Sequence, residues 1–193
     1  MNSNNLQSLI DLYKQNYAKA LTIEVNKKIH ILADLLLKVW RNNSNIYIIG
    51  NGGSAANANH IANDFTYGAG ITSKKGIKIE SLASNTAVIT CLANDIGYDF
   101  IFSEQLKVKA TKDDLLIALS GSGNSKNIIE AINVANKIHM SSFAILGFNG
   151  GEVKKIVQDC IHFQIHDMQI SEDLQMFVFH ICSKWLSKID INK

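Results

Sequence analysis

Asn45-Ile46-Tyr47-Ile48-Ile49-Gly50-Asn51-Gly52-Gly53-Ser54-Ala55-Ala56-Asn57-Ala58 is the stretch from which the fold of this chain can be read. An apolar run rich in β-branched and aromatic residues ends at Gly50, a turn of small residues follows, and a helix is predicted behind Ser54. Strand, glycine turn and helix start together bring free backbone N–H groups and the positive end of a helix dipole to one place, where an anion can sit. Ser54 is placed to cap that helix and to offer its hydroxyl to the same anion. Taken alone, the turn reads equally well as a tight βα connection that merely needs glycines.

Outward from this stretch the same grammar repeats. Upstream, Leu6, Leu9, Ile10, Tyr13, Tyr17, Leu21, Val25, Ile29, Leu32, Leu36 and Val39 recur at helical spacing, predicting one long amphipathic helix or two broken near Thr22. So long a stripe carries more apolar surface than one sheet edge usually covers, so part of it is expected against another subunit. Downstream, strands are predicted at 77–83, 113–119, 142–148 and 160–165. Helices are predicted at 85–92, 101–108, 127–137, 152–157 and 171–189, with Asn94-Asp95-Ile96-Gly97-Tyr98 as a loop. Strands alternating with helices imply an α/β fold, a doubly wound parallel sheet of five strands in a single domain, 1–193. In such sheets ligands collect at the carboxyl ends of the strands, where the winding reverses. Both the first turn and a second, Ser120-Gly121-Ser122-Gly123-Asn124-Ser125, fall at strand ends.

Composition narrows the class. With 47% hydrophobic and 19% charged residues the 193-residue chain is ordinary globular material, long enough to bury a full core. A net charge of +2 argues against duplex DNA or an anionic membrane as a partner. The three cysteines, Cys91, Cys160 and Cys182, form no C-x-x-C and read as buried thiols in a reducing compartment. Met1-Asn2-Ser3-Asn4-Asn5 lacks a signal pattern and no apolar run approaches about 18 residues, so the expected location is cytoplasmic. Proline is absent altogether, which leaves the helices uninterrupted.

The second turn supplies three hydroxyls and flexible backbone at a helix N-terminus. It has no Walker lysine and the first turn lacks G-x-G-x-x-G spacing, so nucleotide binding is disfavoured. Serines without a paired cation suit a sugar-phosphate monoester, although a Ser/Gly turn by itself is often only a turn. His60 and Asp64, four residues apart, share a helix face as a metal pair, an acid/base pair or a surface hydrogen bond. Glu172 and His180, eight residues apart, project within about 80° of each other on the last helix. His180 sits in an apolar stretch, where an imidazole needs a partner. His162 and His166 flank the last strand without an assigned role, and His30 and His139 read as surface residues.

Together the two turns resemble the sugar isomerase (SIS) domain, and more narrowly the phosphoheptose isomerases, over essentially the whole chain. Ala93-Asn94-Asp95-Ile96-Gly97-Tyr98, Asn149-Gly150-Gly151 and the closing helix with His180 add to the resemblance. It implies conversion of sedoheptulose 7-phosphate to D-glycero-D-manno-heptose 7-phosphate, for lipopolysaccharide or capsule, by a homotetramer held through roughly residues 1–40. It also implies a small-molecule sugar phosphate as ligand, with no nucleic acid or membrane partner. Asn51, Gly52, Gly53 and Ser54 fall at substrate-loop positions, Ser120, Gly121, Ser122 and Ser125 at the phosphate loop, and Asn94 and Asp95 at a sugar-contacting loop. His60, Asp64, Glu172 and His180 fall where the family carries zinc ligands, one ion per subunit, and its acid/base pair; Asp64 and His180 are the implied catalytic pair. Asp64 and Glu172 also count among the implied substrate contacts. Asp64 stands where glutamate is usual and reaches one methylene less. Glu172 stands where glutamine is usual and adds an anion, which favours a cation in the site. Related domains are non-catalytic phosphosugar-sensing regulators or bind the bacterial replication initiator, and that remains the alternative; Ser54-Ala55-Ala56-Asn57-Ala58 resembles the latter group locally, while Asp64 and His180 favour the enzyme.

Overall fold

The structure is a computed structural model that describes residues 3–192. Two helices, α1 (Ser3–Ala20) and α2 (Ile23–Arg41), precede β1 (Ile46–Gly50) and α3 (Gly53–Tyr67). There follow β2 (Ile79–Ser81), α4 (Thr86–Asp95), α5 (Ser103–Lys109), β3 (Leu115–Ser120) and α6 (Lys126–Lys137). The chain closes through β4 (Ser141–Leu146), α7 (Val153–Ile156), β5 (Asp159–His162) and α8 (Met168–Leu186). The leading stripe is therefore two helices. They break at Thr22, whose extended backbone lets its hydroxyl accept from the Val25 N–H at 3.3 Å and so satisfy a free amide of α2.

All strand pairs are parallel, in the order β2-β1-β3-β4-β5. β1 and β3 are buried along their whole length, as uninterrupted apolar strands must be when helices cover both faces. Side chains alternate between two cores. Ile46, Ile48, Leu115, Ile117 and Phe143 pack with α2, α3 and α8, whereas Tyr47, Ile49, Leu116, Ala118 and Ala144 pack with α5 and α6. The entry ends of β1 and β3 are held in register by Asp114, only 2% exposed. Its carboxylate accepts from the Asn45 N–H (2.7 Å) and Nδ2 (3.0 Å), and from the Thr111 N–H (2.8 Å) and hydroxyl (2.9 Å).

From β1 the chain goes outward to β2, then returns past β1 to β3 and continues the other way. Right-handed crossovers then lie on opposite faces, and a crevice opens at the carboxyl ends of β1 and β3. Both Gly/Ser turns border it. Helix α8 runs parallel to α3 alongside this crevice: Gln175 Nε2 donates to the Ser54 hydroxyl (3.0 Å), and Asn57 Nδ2 donates to Gln175 Oε1 (2.9 Å) and to the Glu172 carbonyl (3.0 Å).

Three local expectations change. Helix α4 extends through Asn94 and Asp95, which were expected in a loop; the Asn85 side chain caps its start by accepting from the Val88 N–H. The second strand is shorter than expected, Ile79–Ser81, at the sheet edge. Of the cysteines only Cys182 is buried; Cys91 is exposed and Cys160 intermediate. Among the described residues no helix is long and apolar enough to cross a membrane.

Candidate active site

The turn after β1 is tighter than its sequence suggests. Gly52 takes φ 55° and ψ −123°, a combination open essentially to glycine alone, and α3 starts at once with Gly53. Ser54 is consequently inside the helix and does not cap it; its hydroxyl, 4% exposed, is held by Gln175. The turn after β3 folds on itself: the Ser120 hydroxyl accepts from the Gly123 N–H (3.0 Å) and the Ser122 hydroxyl from the Asn124 N–H (3.2 Å). Ser125 occupies the cap position of α6 without a capping side-chain bond.

Between these turns lies a cavity of about 280 Å³ lined by Asn51, Gly52, Gly53, Ser54, Leu119, Ser120, Gly121, Ser122, Ser125, Met168 and Glu172. The substrate-loop and phosphate-loop residues expected from the sequence thus face one space. The two turns are coupled by a reciprocal amide pair. Asn127 Nδ2 donates to Asn51 Oδ1 (2.8 Å) and Asn51 Nδ2 donates to Asn127 Oδ1 (2.9 Å), while the Tyr98 hydroxyl donates to the same Asn51 Oδ1 (2.9 Å). Asn51 is therefore largely committed to holding the turns together. Asn127 and Gln175 carried no recognisable signal in the sequence, and Tyr98 entered only as part of a resembling segment, because each acts through a partner 47 to 121 positions away.

Further along α3 and α8 a second group forms. His60 Nε2 lies 3.5 Å and His180 Nε2 3.7 Å from Asp64 Oδ2, the two Nε2 atoms are 3.4 Å apart, and the rings meet edge to face. All three donor atoms lie within 4.8 Å of one another. Two imidazole nitrogens and a carboxylate oxygen this close together fit a divalent cation such as zinc, with a position left open. The imidazoles must be unprotonated to serve. His180 is not the buried histidine its apolar neighbours implied: its side chain is 50% exposed.

Glu172, the expected fourth ligand, stands outside this group. Eight residues of α8 place it about 12 Å back along the helix from His180, with its carboxylate directly over Gly53 in the cavity. Asn94 and Asp95, unlike Glu172, do not line the cavity. They bond to each other (2.9 Å), and this bond, together with that from Cys91, lowers the Asp95 pKa. His162 is engaged elsewhere: its Nε2 donates to the Phe148 carbonyl (3.0 Å), which leaves Nδ1 to accept from Lys154 (3.0 Å). Burial, countered in part by that carbonyl, holds its pKa below the usual histidine value. His166 packs edge-on against Phe148, and His30 and His139 are exposed.

A family model described as the SIS domain matches residues 13–147. The chain belongs to the SIS domain family. Within it the chain is similar to phosphoheptose isomerases. The Helicobacter pylori (strain P12) phosphoheptose isomerase is 34% identical over 147 residues, 76% of each chain. A Thermoplasma acidophilum protein named probable phosphoheptose isomerase is 34% identical over 173 residues, 89% of this chain and 94% of its own. Among solved structures, phosphoheptose isomerase GmhA from Neisseria gonorrhoeae superposes with a TM-score of 0.85 at 25% identity, covering 96% of this chain and 98% of that one. The matched segment begins within α1 and ends just after β4, and α7, β5 and α8 lie beyond it.

Proposed function

We propose that this SIS domain isomerises D-sedoheptulose 7-phosphate to D-glycero-D-manno-heptose 7-phosphate, supplying heptose for lipopolysaccharide or capsule. The observation that carries the proposal is the pairing, along two parallel helices, of a serine-lined cavity with a His/Asp/His group. An extended heptose 7-phosphate measures about 10 Å from C1 to phosphorus, comparable to the roughly 12 Å of α8 between Glu172 and His180. With the phosphate against Ser120, Ser122 and Ser125, C1 and C2 are carried toward His60, Asp64 and His180.

The reaction moves one proton from C1 to C2 through an enediol while the carbonyl oxygen gains a proton and the C1 hydroxyl loses one. Asp64 and His180 are assigned that transfer, from two different helices. His60, Asp64 and His180 would hold a divalent cation, zinc by donor type and one per subunit, with Glu172 outside the set in the conformation described. A bound cation would polarise the carbonyl and hydroxyl oxygens. A His180 nitrogen engaged as ligand is not free as base, so the two duties compete, and Asp64 keeps a second oxygen, Oδ1, which accepts from Asn63 Nδ2 at 3.4 Å. The phosphate turn contributes binding energy remote from the reacting carbons.

The exposed side chains of Leu6, Leu9, Ile10 and Leu12 on α1 support assembly through residues 1–40, as a homotetramer in the cytoplasm. The convergence of His60, Asp64 and His180 disfavours a purely regulatory or initiator-binding role. Incubating purified protein with sedoheptulose 7-phosphate and following the aldose by NMR tests the proposal. Formation of the heptose 7-phosphate supports it, and its absence at high enzyme concentration with zinc supplied rejects it.

A further inference from the structure

Two side-chain amides connect α8 to the first turn of α3, and one main-chain group sets the direction of their hydrogen bonds. The main-chain carbonyl of residue 172 can only accept, so Asn57 must present Nδ2 to it, at 3.0 Å. The same Nδ2 meets Gln175 at 2.9 Å, so its partner there must be Oε1. Gln175 is left with Nε2 for Ser54, and donates to the hydroxyl at 3.0 Å. Turning Asn57 over would set two carbonyls against each other, and turning Gln175 over would set its NH₂ group against that of Asn57. Gln175 is 1% exposed and Ser54 4%, so water has little access to either.

Ser54 lines the cavity together with Ser120, Ser122 and Ser125. A serine hydroxyl carries one proton and two acceptor sites. Gln175 occupies one acceptor site, and among the described residues the Ser54 hydroxyl donates to no protein group, so its proton is left for the cavity. We propose that Gln175 is a positioning residue that fixes the Ser54 hydroxyl as a hydrogen-bond donor to an oxygen of the bound sugar phosphate. The proposal rests on the phosphosugar reading of the cavity given above. A hydroxyl free to turn would accept from water or from a sugar hydroxyl as readily as it donates. Held by Gln175, it is oriented before the ligand arrives.

Titration calorimetry of the full chain with sedoheptulose 7-phosphate, with turnover followed alongside, tests this. Gln175→Glu keeps the shape and the acceptor for Asn57 but puts a carboxylate oxygen where Nε2 stands. The Ser54 hydroxyl must then donate to that oxygen instead of to the ligand, and affinity should fall about ten-fold, the loss of one hydrogen bond. Gln175→Met removes both bonds without adding a charge and should cost about three-fold, because the hydroxyl is freed but not reversed. Ser54→Ala should lose about as much as Gln175→Glu, and in the Ser54→Ala background neither change at 175 should lower affinity further. A role confined to packing α8 on α3 would lower affinity by the same factor in both backgrounds, and that result overturns the proposal. Unchanged affinity in Ser54→Ala overturns it too. Should Gln175→Glu fail to fold, Gln175→Met and Ser54→Ala complete the same cycle. Failure of the underlying reading looks different: a sugar phosphate that binds the unaltered protein without turnover removes the isomerase and leaves the cycle readable in Kd, whereas one that does not bind at all ends both.

Discussion

Asn127→Ala probes the coupling of the two turns. Asn127 is 2% exposed and makes two hydrogen bonds to Asn51, at 2.8 and 2.9 Å. Each is worth about 0.5–1.5 kcal/mol net, and a buried polar group left without a partner costs about 1–3 kcal/mol. Asn51 Oδ1 keeps the Tyr98 hydroxyl at 2.9 Å, so only its Nδ2 is stranded. The expected loss is therefore about 2–3 kcal/mol, which in a chain of this size lowers Tm by about 5–10 °C. Urea unfolding should show a lower midpoint with an unchanged slope, the mark of altered stability without altered compactness. Because the pair spaces the two turns that line the cavity, KM for the sugar phosphate should rise as well. Asn127→Asp keeps the acceptor for Asn51 Nδ2 but buries a carboxylate oxygen against Asn51 Oδ1, so it should destabilise at least as much as alanine. An Asn127→Ala protein with an unmoved midpoint and unmoved KM would refute the coupling.

Replacing Ser122 and Ser125 together with alanine should raise KM for sugar phosphate at least ten-fold with a smaller effect on kcat, since these hydroxyls bind far from the reacting carbons; steady-state kinetics checks it. Burial pushes the Cys182 thiol from 9.0 to about 12. The folded state thus keeps a proton that the unfolded chain releases, and the stability associated with it is intact below pH 9.0 and lost as pH rises toward about 12. Comparing chemical denaturation of the native chain and Cys182→Ala between pH 8 and pH 11 should show a steeper fall for the native chain. Leu9→Asp with Leu12→Asp should convert the assembly to smaller species by light scattering, because both side chains are more than half exposed on α1. A native chain already monomeric at micromolar concentration would contradict assembly through α1.

The fold was legible wherever burial on both faces forced an unmistakable sequence. Ile46–Gly50 and Leu115–Ser120 are apolar because nothing else can lie at the centre of a helix-covered parallel sheet. The reading weakened at the edge, where Ile79-Glu80-Ser81 is only partly buried and its apolar signal diluted. Asn94 and Asp95 look like turn formers, yet their side chains bond to each other at the end of α4 and the helix continues through them. Ser54 has the chemistry of a cap, but the positive φ of Gly52 starts the helix early and hands the hydroxyl to Gln175. For the site, helical spacing correctly put His60 beside Asp64, and only the packing of α8 on α3 could add His180 and leave Glu172 over Gly53. Spacing along one helix fixes direction and axial distance, and cannot say which neighbouring helix lies opposite.

The central claim is that Asp64 and His180 carry a proton between C1 and C2 of a heptose phosphate, and exchange in deuterated water tests it most directly. With sedoheptulose 7-phosphate and the unaltered protein, NMR should show deuterium entering C1 of the ketose and C2 of the aldose as the two equilibrate. The folded His180→Ala protein should give neither exchange nor aldose, while His60→Ala should in addition lose metal content. Near-normal exchange and turnover in a folded His180→Ala protein would contradict the account.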